Sequence, residues 1–158
     1  MVYTIAKLVS AFAFGLVIGC YLNTLEYRLS ADVRLFDSSC YCTSCGTRLR
    51  LADQIPIFSY LWLGGRCRSC GAHIGRRYPI VEAGSALLYL VCAAVIDNVL
   101  VFHFTATLAG ILYVTVSILL RGKFKLTRKY VLGIFSLIGL NIPIMLGMSI
   151  IALESAVK

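Results

Sequence analysis

The stretch from Ile80 to Leu120 constrains this chain most: about 40 mostly apolar residues whose only acidic, basic or imidazole side chains are Glu82, Asp97 and His103. At a rise of about 1.5 Å per residue it supplies two helices long enough for a hydrocarbon layer of roughly 30 Å, joined by a turn at Asp97-Asn98. Leu8 to Leu25 is a further uncharged run and reads as a first transmembrane helix. Lys7 precedes it as a basic residue precedes a signal peptide, but no small-x-small cleavage site closes it; Asn23, Glu26, Tyr27 and Arg28 follow instead. Tyr130 to Leu153 supplies a fourth span, in which Asn141 and Pro143 are tolerated where neighbours re-satisfy the backbone. Composition agrees, with 59% apolar and 14% charged residues against about 25% charged in soluble proteins. That balance excludes a soluble globular protein, a disordered chain and a small secreted disulfide scaffold.

The net charge of +8 is read against a bilayer, and no nucleic-acid partner is expected. Of the 15 Lys and Arg residues, 13 fall in two segments, Arg28 to Tyr78 and Arg121 to Lys129. An even number of crossings separates them, so they share a side, and the positive-inside rule places both in the cytoplasm and both termini outside. The expected architecture is an all-α polytopic membrane protein: a first transmembrane helix over 1–27, a cytoplasmic loop domain over 28–79 that holds five of the seven cysteines, and three further transmembrane helices over 80–158 with a basic cytoplasmic loop at 121–129. That makes about four transmembrane helices carrying one cysteine-rich loop.

Cys20 and Cys92 fall inside predicted spans, where a thiol behaves as a small buried apolar group. The other five cysteines lie in the loop, and a reducing compartment argues against structural disulfides there. Cys42-Thr-Ser-Cys45-Gly46 and Cys67-Arg-Ser-Cys70-Gly71 are two CxxCG hooks 21 residues apart. Each turns two thiolates toward one point, and two hooks complete a tetrahedral tetrathiolate site. Cys42, Cys45, Cys67 and Cys70 are therefore the expected metal ligands; zinc is favoured and iron is the alternative, with Cys40 the substitute for Cys42. A membrane thiol oxidoreductase also uses CxxC pairs but needs no two matched hooks with trailing glycines. Because four thiolates leave no open coordination position, the metal is expected to hold the loop rather than to catalyse.

Three ordered segments carry a resemblance. Gly19-Cys-Tyr-Leu-Asn23-Thr-Leu-Glu-Tyr27-Arg28-Leu resembles the GSFLNVVIYRLP signature of type IV prepilin peptidases. Asp53-Gln-Ile-Pro56-Ile-Phe-Ser59-Tyr-Leu61 resembles their DNIPLLSWL segment, and Gly65 to Glu82 their GRCRxCxxxISxRYPLVE segment. With the hooks, the resemblance covers residues 19 to 82. The departures, Thr43, Gln54, Tyr60 and Gly75, are small. Such a resemblance implies a bacterial inner-membrane enzyme that acts on pilin-like or pseudopilin helices in a type IV pilus or type II secretion-like system. It implies leader cleavage by two membrane-edge aspartates and, in many members, methylation of the new N-terminal amine from S-adenosylmethionine.

The catalytic aspartates of that family have no counterpart in these 158 residues. Leu120 and Arg128 stand where acids of the first motif are expected, no GxGD motif occurs, and no Asp follows Asp97. Asp32, Asp37 and Asp53 lie in the loop and Asp97 at the opposite membrane face, so the proton-sharing carboxylate pair of an aspartic protease is not expected to form. The resemblance is thus to the N-terminal half, and a separate peptidase half or assembly component is an expected partner. The residual chemistry is methyl transfer, the competing reading being a non-catalytic membrane binding partner.

A methyl-transfer site requires an anchor for the cofactor carboxylate, π or carboxylate groups near the sulfonium, and a base for the attacking amine. Arg66, Arg68, Arg77, Tyr78 and Asp53 are the candidate cofactor-binding residues, the arginines being equally suited to lipid headgroups. Glu82, just inside the second span, is the candidate catalytic residue, since an ionisable group at that depth is costly unless used or paired; the structural alternative is an ion pair with Arg77 or Arg28. Asn23 is read as an interhelical hydrogen-bonding residue, Glu26 as interfacial, His73 as a surface residue and His103 as an interfacial or helix-packing residue rather than a proton relay.

Overall fold

A computed structural model of the chain describes residues 2–31, 33–35, 40–120 and 128–156. Asp32, Asp37 and most of the basic segment 121–129 lie outside the described residues. Five helices account for most of the rest: α1 (Val2–Ser30), α2 (Phe58–Trp62), α3 (Arg77–Val95), α4 (Val99–Leu120) and α5 (Arg128–Ala156). A four-residue 3-10 turn (Leu51–Gln54) precedes α2. Among the described residues, two helical segments are long and apolar enough to cross a membrane, Thr4–Ser30 and Arg77–Val95. The expected turn falls where Asp97-Asn98 joins α3 to α4, and α5 continues as one helix through Asn141 and Pro143.

The closest helix pair is α1 against α3, and small residues set its spacing. A methyl group at Gly15 would stand 2.5 Å from Ala86 Cα, and one at Gly19 would stand 2.6 Å from Glu82 Cα. Ala11, Gly15 and Gly19 lie one turn apart on a single stripe of α1, all buried, which is the small-xxx-small pattern that lets two backbones meet in an apolar solvent. Around this contact Ile18, Leu22 and Leu25 of α1 pack with Tyr89 and Ala93 of α3, Phe102, Ala106 and Val114 of α4, and Leu137 of α5. Tyr89 and Phe102 meet edge to face, with ring centroids 5.5 Å apart, the arrangement favoured by the aromatic quadrupole.

Polar groups fix both ends of the bundle. At one end Lys7 Nζ donates to the Ile96 carbonyl at 3.1 Å and to Asp97 Oδ1 at 3.2 Å, tying the start of α1 to the α3–α4 turn. At the other, Glu26 is fully buried and forms an ion pair with Arg77, whose Nη2 also donates to the Tyr113 hydroxyl at 3.1 Å. The Glu26 carboxylate lies inside the bundle, where Arg77 folds over it from the first turn of α3. Asn23 Nδ2 donates to the Tyr78 carbonyl at 3.0 Å, an interhelical bond between α1 and α3. His103 lies in α4, its side chain outside the described residues.

The α1–α3 contact yields a clear expectation. Gly19→Val drives side-chain carbons into the α3 backbone and destabilises the protein by at least about 1–3 kcal/mol. Gly84→Ala, where an added methyl meets nothing within 4 Å, leaves it unchanged. Thermal unfolding of both variants in one detergent checks the contrast; equal midpoints for the two would disprove the close contact.

Candidate metal centre and the cavity beside it

The two hooks fold identically. In the first, Cys42 N donates to Thr47 O at 2.9 Å, Gly46 N to Cys42 O at 2.9 Å and Leu49 N to Cys40 O at 2.8 Å. In the second, Cys67 N donates to Ala72 O at 2.8 Å, Gly71 N to Cys67 O at 2.9 Å and Ile74 N to Gly65 O at 2.7 Å. Each hook closes through one antiparallel bridge, Tyr41 with Arg48 and Arg66 with His73. Gly46 and Gly71 have φ of 69° and 70°, a left-handed conformation that glycine adopts without steric cost. Cys40 occupies the position of Gly65 in this repeat, so its backbone pairs in the hook while Cys42 takes the ligand position.

The Sγ atoms of Cys42, Cys45, Cys67 and Cys70 all lie within 4.8 Å of one another, and those of Cys42 and Cys70 are 3.9 Å apart. Four sulfurs at the zinc–thiolate distance of about 2.3 Å sit roughly 3.8 Å from each other, so the cluster is placed to hold a metal ion. Backbone N–H groups of Cys45 and Ser44 hold the Cys42 thiol below its ordinary pKa, and those of Cys70 and Ser69 do the same for Cys67. The Thr47 hydroxyl lowers Cys45. Cys70 is pushed up to about 11: the Ala72 N–H favours its thiolate, but the hydrogen bonds with Cys45, Cys67 and Cys42 outweigh it. Four sulfurs this close do not all ionise without a cation among them.

Asp53 and Arg68 brace the second hook. Arg68 donates from Nη2 and Nε to Asp53 Oδ1 at 2.8 and 3.0 Å. This fork holds the Asp53 carboxyl below its usual range and raises Arg68. The loop is tied to the helices by Glu82, whose Oε2 accepts from Ile57 N at 2.7 Å. Ile57 has φ 61° and ψ −52°, and Phe58 N donates back to Pro56 O at 2.6 Å; this is a γ-turn of the rare positive-φ kind, strained for a β-branched residue. The strained turn presents its N–H to the carboxylate. Glu82 thus pairs with a backbone donor rather than with Arg77 or Arg28.

Between the loop and the adjoining parts of α1 and α3 lies a cavity of about 460 Å³, within the size range of small-molecule sites. Asp53, Arg68, Tyr78 and Glu82 line it, and so do Asn23, Arg28 and Arg34. The buried Asn23 Oδ1 has no hydrogen-bond partner among the described residues. Arg66 and Arg77 do not line the cavity: Arg66 is exposed and bonds the Gly71 carbonyl at 3.3 Å, and Arg77 is occupied by Glu26 and Tyr113. His73 lines it as well. Sequence reasoning did not place Arg28 and Arg34 on the cavity wall; Arg28 was marked by the first family-like segment, and Arg34 only by its place after a span.

Truncating Arg77 strands a buried carboxylate, so Arg77→Ala is expected to cost about 3 kcal/mol of stability, whereas Arg66→Ala is expected to leave unfolding unchanged. Denaturation curves in detergent check this; a stable Arg77→Ala protein would show that the pair does not hold α1 to α3.

The comparisons with known proteins agree with this architecture. Residues 13–96 match the model of the bacterial peptidase A24 N-terminal domain. The chain is 36% identical over 105 residues to a prepilin leader peptidase/N-methyltransferase of Pseudomonas putida, covering 52% of this chain and 36% of that protein. The protein of the same name in Myxococcus xanthus is 38% identical over 81 residues, covering 51% of this chain and 24% of its own length. A type 4 prepilin-like proteins leader peptide-processing enzyme of Escherichia coli is 33% identical over 111 residues, 59% of this chain and 41% of that enzyme. The chain thus spans about a quarter to two-fifths of the length of these curated relatives. No solved structure matches it. With more than half of its residues matched by the family model, the chain belongs to the bacterial peptidase A24 N-terminal domain family.

Proposed function

We propose that this chain is an inner-membrane protein that methylates the N-terminal amine of processed pilin-like helices, using S-adenosylmethionine bound in the cavity beside a zinc-ordered loop. The observation that carries the reading is the cavity: one space gathers carboxylates, arginines, tyrosines and a buried unpartnered amide oxygen at the edge of two apolar helices. In this reading α4 and α5 also cross the membrane, the loop of residues 28–79 and the basic segment near 121–129 are cytoplasmic, and the termini are outside. The Lys7–Asp97 pair supports this, because it sets the start of α1 and the α3–α4 turn at the end of the bundle away from the hooks.

The four thiolates fit zinc or iron equally in geometry, and zinc is favoured as a redox-silent structural ion. Its work here is to order a loop whose 3-10 turn and α2 contain no buried residue. When bound, S-adenosylmethionine supplies an electrophilic methyl group on a sulfonium. Arg68, Arg28 or Arg34 would hold its carboxylate, with Asp53 keeping Arg68 oriented. Tyr78 and the Glu82 carboxylate offer π density and negative charge to a cation. Asn23 Oδ1 would accept a hydrogen bond from the substrate amine, and Glu82 would take the proton that nitrogen loses as it gains the methyl carbon. Arg66 and Arg77 are given no cofactor contact.

Two outcomes are expected. Purified protein should carry about one zinc per chain, and Cys42→Ser with Cys45→Ser should abolish it; full metal content in that double variant would refute the assignment. Glu82→Gln keeps an acceptor for Ile57 N but removes the charge, so methyl transfer to a peptide with a free N-terminal phenylalanine should fall about 100-fold or more with zinc content intact. Glu82→Ala, which also frees the loop, should lose cofactor binding too. Equal turnover by Glu82→Gln and the unsubstituted protein would remove Glu82 from the chemistry.

A further inference from the structure

The segment 51–62 contributes Asp53, Gln54, Ser59 and Tyr60 to the cavity wall, but its large apolar side chains have no such use. Leu51 is 86% exposed, Phe58 64%, Leu61 69% and Trp62 86%, and Ile55 is exposed as well. Neither the 3-10 turn nor α2 contains a buried residue. In water a cluster of this kind marks an interaction surface.

Three observations identify what covers it. First, position: the hydrogen bond from Ile57 N to Glu82 Oε2 holds the segment beside a residue about 7 Å along α3 from its start at Arg77, level with the first turns of an apolar helix. Second, charge: Asp53 is the only ionised group within 51–62 and is neutralised by Arg68, while exposed Arg48, Arg50 and Arg66 flank the segment on both sides. Third, composition: a tryptophan and a phenylalanine among leucines, edged by arginines, is the pattern that settles between headgroups and acyl chains.

We propose that residues 51–62 form an interfacial foot, in which Phe58, Leu61, Trp62 and Leu51 sink into the headgroup–acyl boundary of the membrane that α1 and α3 cross, and the flanking arginines meet anionic lipid phosphates. The foot rests on the membrane-spanning reading of α1 and α3. It fixes the cavity wall at a set height above the bilayer, because the same short segment supplies both. A substrate amine delivered on a membrane-embedded helix then meets the cavity at a constant depth.

Trp62 is the chain's single tryptophan, so its fluorescence reads this segment alone. The test uses the zinc-loaded protein in scaffold-free liposomes of phosphatidylethanolamine and phosphatidylglycerol, with lipids brominated either near the headgroup or near the bilayer centre. Trp62 emission is expected to be blue-shifted, shielded from aqueous iodide, and quenched most by bromines near the headgroup. A second protein, Trp62→Phe with Phe12→Trp, places the indole on an exposed position of α1 and should be quenched by the central bromines. Water-like Trp62 emission that iodide quenches and bromolipids do not, with the α1 reporter quenched, would overturn the foot and leave the spanning reading standing. The same result covers a foot reserved for a protein partner. Loss of lipid quenching at both reporters would overturn both.

Discussion

The rest of the structure depends on the backbone contact between α1 and α3. An apolar solvent offers helices no hydrophobic reason to associate, so packing and polar pairing must hold them. Gly15 and Gly19 remove the side chains that would keep α1 and α3 apart, and their line of approach ends at Glu82. Everything chemically useful then follows within two turns. Asn23 reaches Tyr78, Glu26 reaches Arg77, and Glu82 is left to catch the loop through Ile57.

These polar groups divide into holders and users. Arg77 and Glu26 are holders: the buried Glu26 carboxylate meets a partly exposed Arg77, which is shared with Tyr113. Arg68 and Asp53 hold one hook of the loop while standing on the cavity wall. Asn23 is a holder through its amide nitrogen, yet its oxygen faces no partner among the described residues. Glu82 joins loop to helix with one oxygen and lines the cavity. A carboxylate in that position ties the ordering of the loop to the shape of the cavity, and the strained turn at Ile57 persists because Glu82 and the Pro56 carbonyl both engage its neighbourhood.

Much of this was legible in the sequence. The hooks were, because CxxCG at matched spacing states its own chemistry, and the paired cysteines do converge. Two of the four expected apolar spans were, in α1 and α3, because helix length against bilayer thickness is a one-dimensional argument. The turn at Asp97-Asn98 came from the same reasoning. What hydropathy did not show is packing: Gly15-x-x-x-Gly19 is written plainly in the chain, but an apolar count treats glycine as filler. The burial of Glu26 was not legible because its partner, Arg77, lies 51 positions away. A separation of 25 positions hid the Glu82–Ile57 bond as well, since nothing local marks a backbone N–H as the mate of a carboxylate. Arg66 and Arg77 resembled site residues because they share motifs with Arg68 and Tyr78, yet neighbours along a hook or a helix turn point to different places.

The proposed site for S-adenosylmethionine needs both the α1–α3 contact and the loop that the four cysteines close. Calorimetric titration of that cofactor into zinc-loaded protein in nanodiscs probes it without turnover. Saturable binding at about one site per chain is expected, lost when Arg68 is replaced by alanine and lost again when zinc is stripped by a chelator. Well-folded, zinc-loaded protein that takes up no S-adenosylmethionine at millimolar concentration would contradict it.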